Sequence, residues 1–135
     1  IIGVLYTKED MEVTEKAQAK MMVEDRVNKS RIESNNGGRS YARNVERIMS
    51  IDLGSNHTVI DTFFQSANKQ ARILSNSSWV NQHVYVPETW RNKWPEFAKD
   101  VTKYQREGKN KHDDCADCLS GIAETLSKPP TYSFD

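Results

Sequence analysis

Two groups of acids stand at positions where carboxylates could hold a metal ion. Glu33 closes a short strand-like run and is followed at once by the polar corner Ser34, Asn35, Asn36, Gly37 and Gly38. Open α/β sheets keep their sites at such strand ends. Asp113, Asp114 and Asp117 open the last helical stretch, away from its apolar residues, and Asp113 and Asp117 lie one turn apart. Carboxylates from a strand end and a helix start are the hard oxygen donors that Mg2+ or Mn2+ prefers. Two such ions about 4 Å apart can stabilise both the attacking and the leaving oxygen of a phosphodiester cut. The same acids have a plainer use, because carboxylates in a first helical turn cap free N–H groups and complement the dipole. Spacing alone leaves both open.

The elements that must position these acids can be read from periodicity. Residues 1–7 (IIGVLYT), 29–33 (KSRIE), 57–64 (HTVIDTFF) and 83–86 (HVYV) are predicted strands, being rich in β-branched and aromatic residues. A helix is predicted over 14–27 with Thr14 as N-cap and Ala17 and Met21 on its inner side. Tyr41, Val45, Ile48 and Met49 mark a second helix, closed by Gly54 as its C′ residue. Residues 68–82 form a polar helix, and Pro95 opens another through Phe97, Val101 and Tyr104. A polar linker at 106–111 leads to the last helix, whose predicted apolar stripe is Cys115, Cys118, Leu119, Ile122, Ala123 and Leu126. The expected fold class is α/β, with strands and helices alternating and neighbouring strands parallel. One domain over 1–128 and a flexible tail over 129–135 are expected.

Composition narrows the classes. Formal net charge is zero, so only a local excess of cations can favour nucleic acid. Residues 68–112 carry nine basic residues against four acidic ones, whereas residues 8–33 carry six against seven. The two cysteines cannot build a disulfide framework, which favours a reducing compartment. As Cys115 and Cys118 share the predicted apolar stripe, core packing explains them better than a zinc site, which would need further ligands. No apolar run approaches the roughly 20 residues that span a bilayer. No phosphate-binding G-x-x-x-x-G-K-[ST] loop occurs, so no ATP-driven motor is expected on this chain. Trp90 and Trp94, four apart, are expected to anchor a helix.

Three runs resemble one known family. IESNNGGRSYAR at 32–43 looks like the second acidic motif of phage terminase large-subunit nuclease domains, and HDDCADCL at 112–119 resembles their third. Between them, NKQARI at 68–73 is similar to a polar segment in one branch of that family. The resemblance implies a ribonuclease H-like mixed sheet flanked by helices, and a metal-dependent endonuclease that cuts concatemeric double-stranded DNA. By resemblance, Glu33 is the second catalytic acid, Asp113 or Asp114 the third, and Asp117 a fourth ligand or supporting acid. These four residues would hold Mg2+ or Mn2+, with His112 orienting a carboxylate or touching phosphate. Arg39, Arg43, Lys69 and Arg72 would hold the DNA backbone. The implied partners are double-stranded DNA, the terminase ATPase domain, the small terminase subunit and the portal, in the cytoplasm of the bacterial host.

One departure matters. Such nucleases take a first carboxylate from the opening strand of the sheet, and IIGVLYT resembles a later strand. The first strand and its aspartate are therefore expected to be missing, and the chain by itself to bind metal weakly and cut poorly. The alternative expectation is a catalytically incomplete module that binds DNA or a partner. For catalysis, the Glu33 carboxylate should lie on the order of 10 Å from at least one of Asp113, Asp114 and Asp117.

Overall fold

A computed structural model describes residues 1–104 and 110–128. The described residues combine helices with one two-stranded parallel sheet, and the chain divides into two compact units. The first unit comprises residues 5–66, and the second comprises residues 1–4 with residues 67 onward.

In the unit of residues 5–66, helix α1 spans Met11–Glu24. Its N-cap is Asp10, not Thr14: the Asp10 carboxylate accepts from the Val13 N–H. The Thr14 hydroxyl turns back to the carbonyls of Asp10 and Met11. The inner side is also rotated from the prediction. Glu15, Ala19 and Met22 are buried, and Glu15 is held there by a hydrogen bond of 3.1 Å from the Asn44 amide. A paired acid can occupy an inner position that an apolar pattern alone would assign elsewhere.

Strand β1 (Lys29–Glu33) pairs in parallel with β2 (Val59–Phe63), with Glu33 opposite Phe63. Between them run a single 3-10 turn (Asn35–Gly37), helix α2 (Gly38–Arg47) and a π-helical turn (Ile48–Asp52). Gly54, at φ 63°, follows the Leu53 cap in the predicted C′ role. Ala19, Met22, Val45, Ile48 and Met49 form the core, with Ile60 of β2 packed against it. Parallel strands need a crossover, and α2 supplies it.

In the other unit, α3 spans Lys69–His83, α4 Trp90–Lys93, α5 Pro95–Thr102 and α6 Asp114–Leu126. Asn68 caps α3 by accepting from the Ala71 N–H at 2.9 Å. Ile73, Phe97, Ala98, Cys115, Leu119 and Ala123 are its buried apolar residues. Trp90 and Trp94 both meet the Phe97 ring edge-on, so they anchor the start of α5 as expected.

Two predicted strands are corrected. Residues 1–7 and 83–86 carry no strand, and α3 runs on through His83. β-Rich composition does not make a strand unless another strand supplies hydrogen-bond partners; the Ile1 amino group reaches the Tyr85 carbonyl at 2.8 Å, an isolated bond rather than a ladder. Most of the predicted linker at 106–111 and the tail at 129–135 lie outside the described residues. Among the described residues no helix is long and apolar enough to cross a membrane.

Candidate functional site

The corner after β1 is shaped by hydrogen bonds, left-handed backbone and one close contact. Ser34 donates to the Phe63 carbonyl twice, from its N–H at 2.8 Å and its hydroxyl at 3.0 Å. Asn35 gives its amide to the Gln65 carbonyl at 2.9 Å and accepts the Gln65 N–H at 3.0 Å. The end of β1 is thereby stitched to the end of β2. Asn36 and Gly37 both adopt left-handed backbone, at φ 52° and 86°. Asparagine tolerates that region and glycine enters it freely. Gly38 has a different constraint: a Cβ there would stand 1.7 Å from the Glu33 carbonyl oxygen, so α2 begins in direct contact with the strand end.

Glu33 is the exception. Its side chain is exposed and has no hydrogen bond or ion pair among the described residues. Arg39 and Arg43 are exposed on α2, as is Arg47, which sequence reasoning missed although it continues the i, i+4, i+8 spacing.

The second acid group lies between α3 and α6 of the other unit. Lys69 opens α3, and its Nζ lies 3.2 Å from Asp113, 3.4 Å from Asp114 and 3.7 Å from Asp117. Arg72, one turn on, turns its guanidinium into the protein and pairs with the Asp117 and Glu124 carboxylates. It also donates to the Asp117 carbonyl at 3.3 Å. Its side chain is 10% exposed against 42% for Lys69. Burial alone would lower the pKa of both cations, but the hydrogen bonds and charges of their acids outweigh it and raise both. Tyr104 is raised by burial first and then by the charges of Asp113 and Asp117. Sequence reasoning missed Tyr104 and Glu124. For Glu124 a signal existed, since Asp117 and Glu124 stand at i and i+7 on one helix side.

This ion pairing explains the correction to the α6 stripe. Cys115, Leu119 and Ala123 are buried, but Cys118, Ile122 and Leu126 are exposed. Asp117 and Ser120 take inner positions instead, because α3 offers Arg72 to Asp117, and Ser120 donates to its own helix at Ala116. Both thiols are free. Desolvation first and the Asp117 charge second push the Cys118 thiol above its ordinary value. His112 is exposed ahead of α6.

Among the described residues, no three His, Cys, Asp or Glu side chains are set as a metal-holding group. Oxygens of Asp113, Asp114 and Asp117 converge instead on one cation, the Lys69 ammonium. Glu33 belongs to the unit of residues 5–66 and the aspartates to the other. No family model, no characterised protein and no solved structure matches this chain.

Proposed function

We propose that the chain is a ribonuclease H-like nuclease domain of the phage terminase type, which cuts double-stranded DNA with divalent metal ions. The observation that carries this is Glu33. Ser34, Asn35, Asn36, Gly37 and Gly38 each contribute to the shape of the corner, whereas the Glu33 carboxylate is exposed and has no partner among the described residues. A corner held this tightly around an unpaired acid is better explained by ligand binding than by folding.

In this proposal Glu33 of one unit and Asp113, Asp114 and Asp117 of the other are the ligands for Mg2+ or Mn2+ that the family resemblance implies, each taken by its own motif. Bound there, the ions supply charge stabilisation for the attacking and leaving oxygens of the phosphodiester. Arg39, Arg43 and Lys69 hold the phosphate backbone, which gives affinity without sequence preference. Arg72 contributes by fixing the Asp117 carboxylate through its buried pair. The ATPase domain, small subunit and portal of such a packaging machine are the proposed protein partners.

The test is plasmid cleavage by the complete gene product in Mn2+ or Mg2+. Glu33→Ala and Asp114→Ala should each abolish cutting while leaving the thermal melt nearly unchanged, since both acids are exposed. Normal cutting by both variants would place the chemistry elsewhere. Binding without any cutting, in wild type as in the variants, would replace the enzyme with a DNA-holding module.

A further inference from the structure

We propose that the cavity where α1 ends is a binding site for a small organic carboxylate, gripped by the Arg26 guanidinium. It lies ahead of β1 and β2, at the opposite end of both strands from Glu33, and is independent of the nuclease reading.

The backbone gives the first reason. α1 closes in a Schellman turn: the Arg26 N–H donates to the Val23 carbonyl at 3.2 Å, and the Val27 N–H to the Met22 carbonyl at 3.0 Å. Such a turn needs one residue in left-handed backbone, and Arg26 takes that place at φ 52°. Glycine is the usual occupant, because a side chain is disfavoured there. For folding alone, Arg26 is therefore a worse choice than glycine. Its guanidinium does not offset the strain within the fold, since it has no hydrogen bond or ion pair among the described residues. Strain kept without a structural gain points to a binding role.

The surroundings give the second reason. Arg26 lines a cavity of about 420 Å3 together with Met22, Val23, Glu24, Ser55 and His57. That volume suits a small organic ligand. The segment after α1 and the segment before β2 form its walls, and they are tied to each other. The Thr58 hydroxyl donates to the Val27 carbonyl at 2.6 Å, and the Val59 N–H to the Asn28 carbonyl at 2.9 Å. A His57 ring nitrogen lies 2.8 Å from the Asn28 side-chain oxygen. The cavity is thus preformed, which lowers the cost of binding.

Charge selects the ligand class. Glu24 lies 3.8 Å from the Lys20 ammonium, so Arg26 carries the uncompensated charge of the lining. The helix end repels an anion only weakly, because its Met21, Met22 and Val23 carbonyls are already bonded. A guanidinium meets a carboxylate through two parallel hydrogen bonds, and Met22 and Val23 offer apolar contact to the body behind it.

The experiment is titration of the full chain with sodium benzoate and with uncharged benzamide at constant ionic strength, followed by the amide resonances of Ser55 and His57. Wild type should bind benzoate saturably with a Kd of about 1 mM, and benzamide about tenfold more weakly. Arg26→Gly and Arg26→Gln should each lose about tenfold in benzoate affinity. In urea unfolding without ligand, Arg26→Gly should be more stable than wild type, and Arg26→Gln should match it. No saturable shift in wild type, equal binding of benzamide, or benzoate binding that survives in both variants overturns the site. An Arg26→Gly chain no more stable than wild type overturns the argument that Arg26 is kept there for a ligand.

Discussion

Gly38 and Gly37 separate two reasons for placing glycine in a corner. At Gly38 the obstacle is contact, since a Cβ would press to 1.7 Å from the Glu33 carbonyl oxygen. Backbone cannot yield there without dragging the strand end away, so Gly38→Ala should destabilise by more than about 2 kcal/mol in urea unfolding. At Gly37 the obstacle is only the left-handed backbone at φ 86°, with the nearest atom, the Met11 methyl, at 3.8 Å. Gly37→Ala should cost about 1 kcal/mol. Equal losses at the two positions would refute the distinction. The sequence makes the corner legible, but not the contact that singles out the second glycine, because Cα-level spacing carries no information on what a side chain would meet. Cys118 gives a second test at this scale. Because its thiol is raised, the folded protein keeps a proton that an unfolded chain would lose, and the stability this gives declines as pH rises through the raised value. In a Cys115→Ser background, alkylation of Cys118 should reach half its plateau rate above pH 9.0, the ordinary thiol value. A midpoint at or below that value would contradict the shift.

Helix α6 was half legible. Its Cys115, Leu119 and Ala123 stripe follows the 3.6-residue period and is buried as the pattern predicts. Its partner α3 reads as polar, and pattern logic has no way to bury a charged residue unless the opposing charge is known. Arg72 buries its guanidinium against Asp117 and Glu124, and only the folded pairing of α3 with α6 brings those three together. The same limit applied to α1, where Glu15 faces inward on account of Asn44, 29 residues away. Strand expectations failed for a related reason. Residues 29–33 and 59–63 found each other as partners, whereas residues 1–7 and 83–86 had the composition without the ladder. Breaking the joint should therefore be costly: Arg72→Met leaves Glu124 without its cation and Asp117 with only the more exposed Lys69, and should lower unfolding stability by about 2 kcal/mol. Adding Asp117→Leu should restore part of that loss, since the uncompensated charge is removed. A loss below about 1 kcal/mol for Arg72→Met would show that the pair does not hold the helices.

At the scale of the molecule the charge balance decides how DNA could be held. Formal net charge is zero, so there is no net long-range attraction to a polyanion, and the proposed DNA binding would have to come from cations that release counter-ions locally. Free cations are fewer than the sequence suggests. Arg72 is part-buried and engaged by two acids, Lys69 is engaged by three aspartates, and Lys29 pairs with Asp61 at 2.9 Å. Arg39, Arg43 and Arg47 remain exposed along one side of α2, on the helix that starts at the Glu33 corner. Three guanidinium groups at i, i+4 and i+8 span about 12 Å of helix, enough to follow adjacent phosphates. If this face tracks DNA, replacing all three by Ala should lower the slope of log affinity against log salt by about three, near one unit for each phosphate no longer neutralised. Arg72→Met should leave that slope unchanged and register in the thermal melt instead, because its guanidinium is engaged by Asp117 and Glu124. A salt slope untouched by the triple substitution would remove α2 from the DNA path, and a slope reduced by Arg72→Met would mean that the buried pair opens when DNA binds.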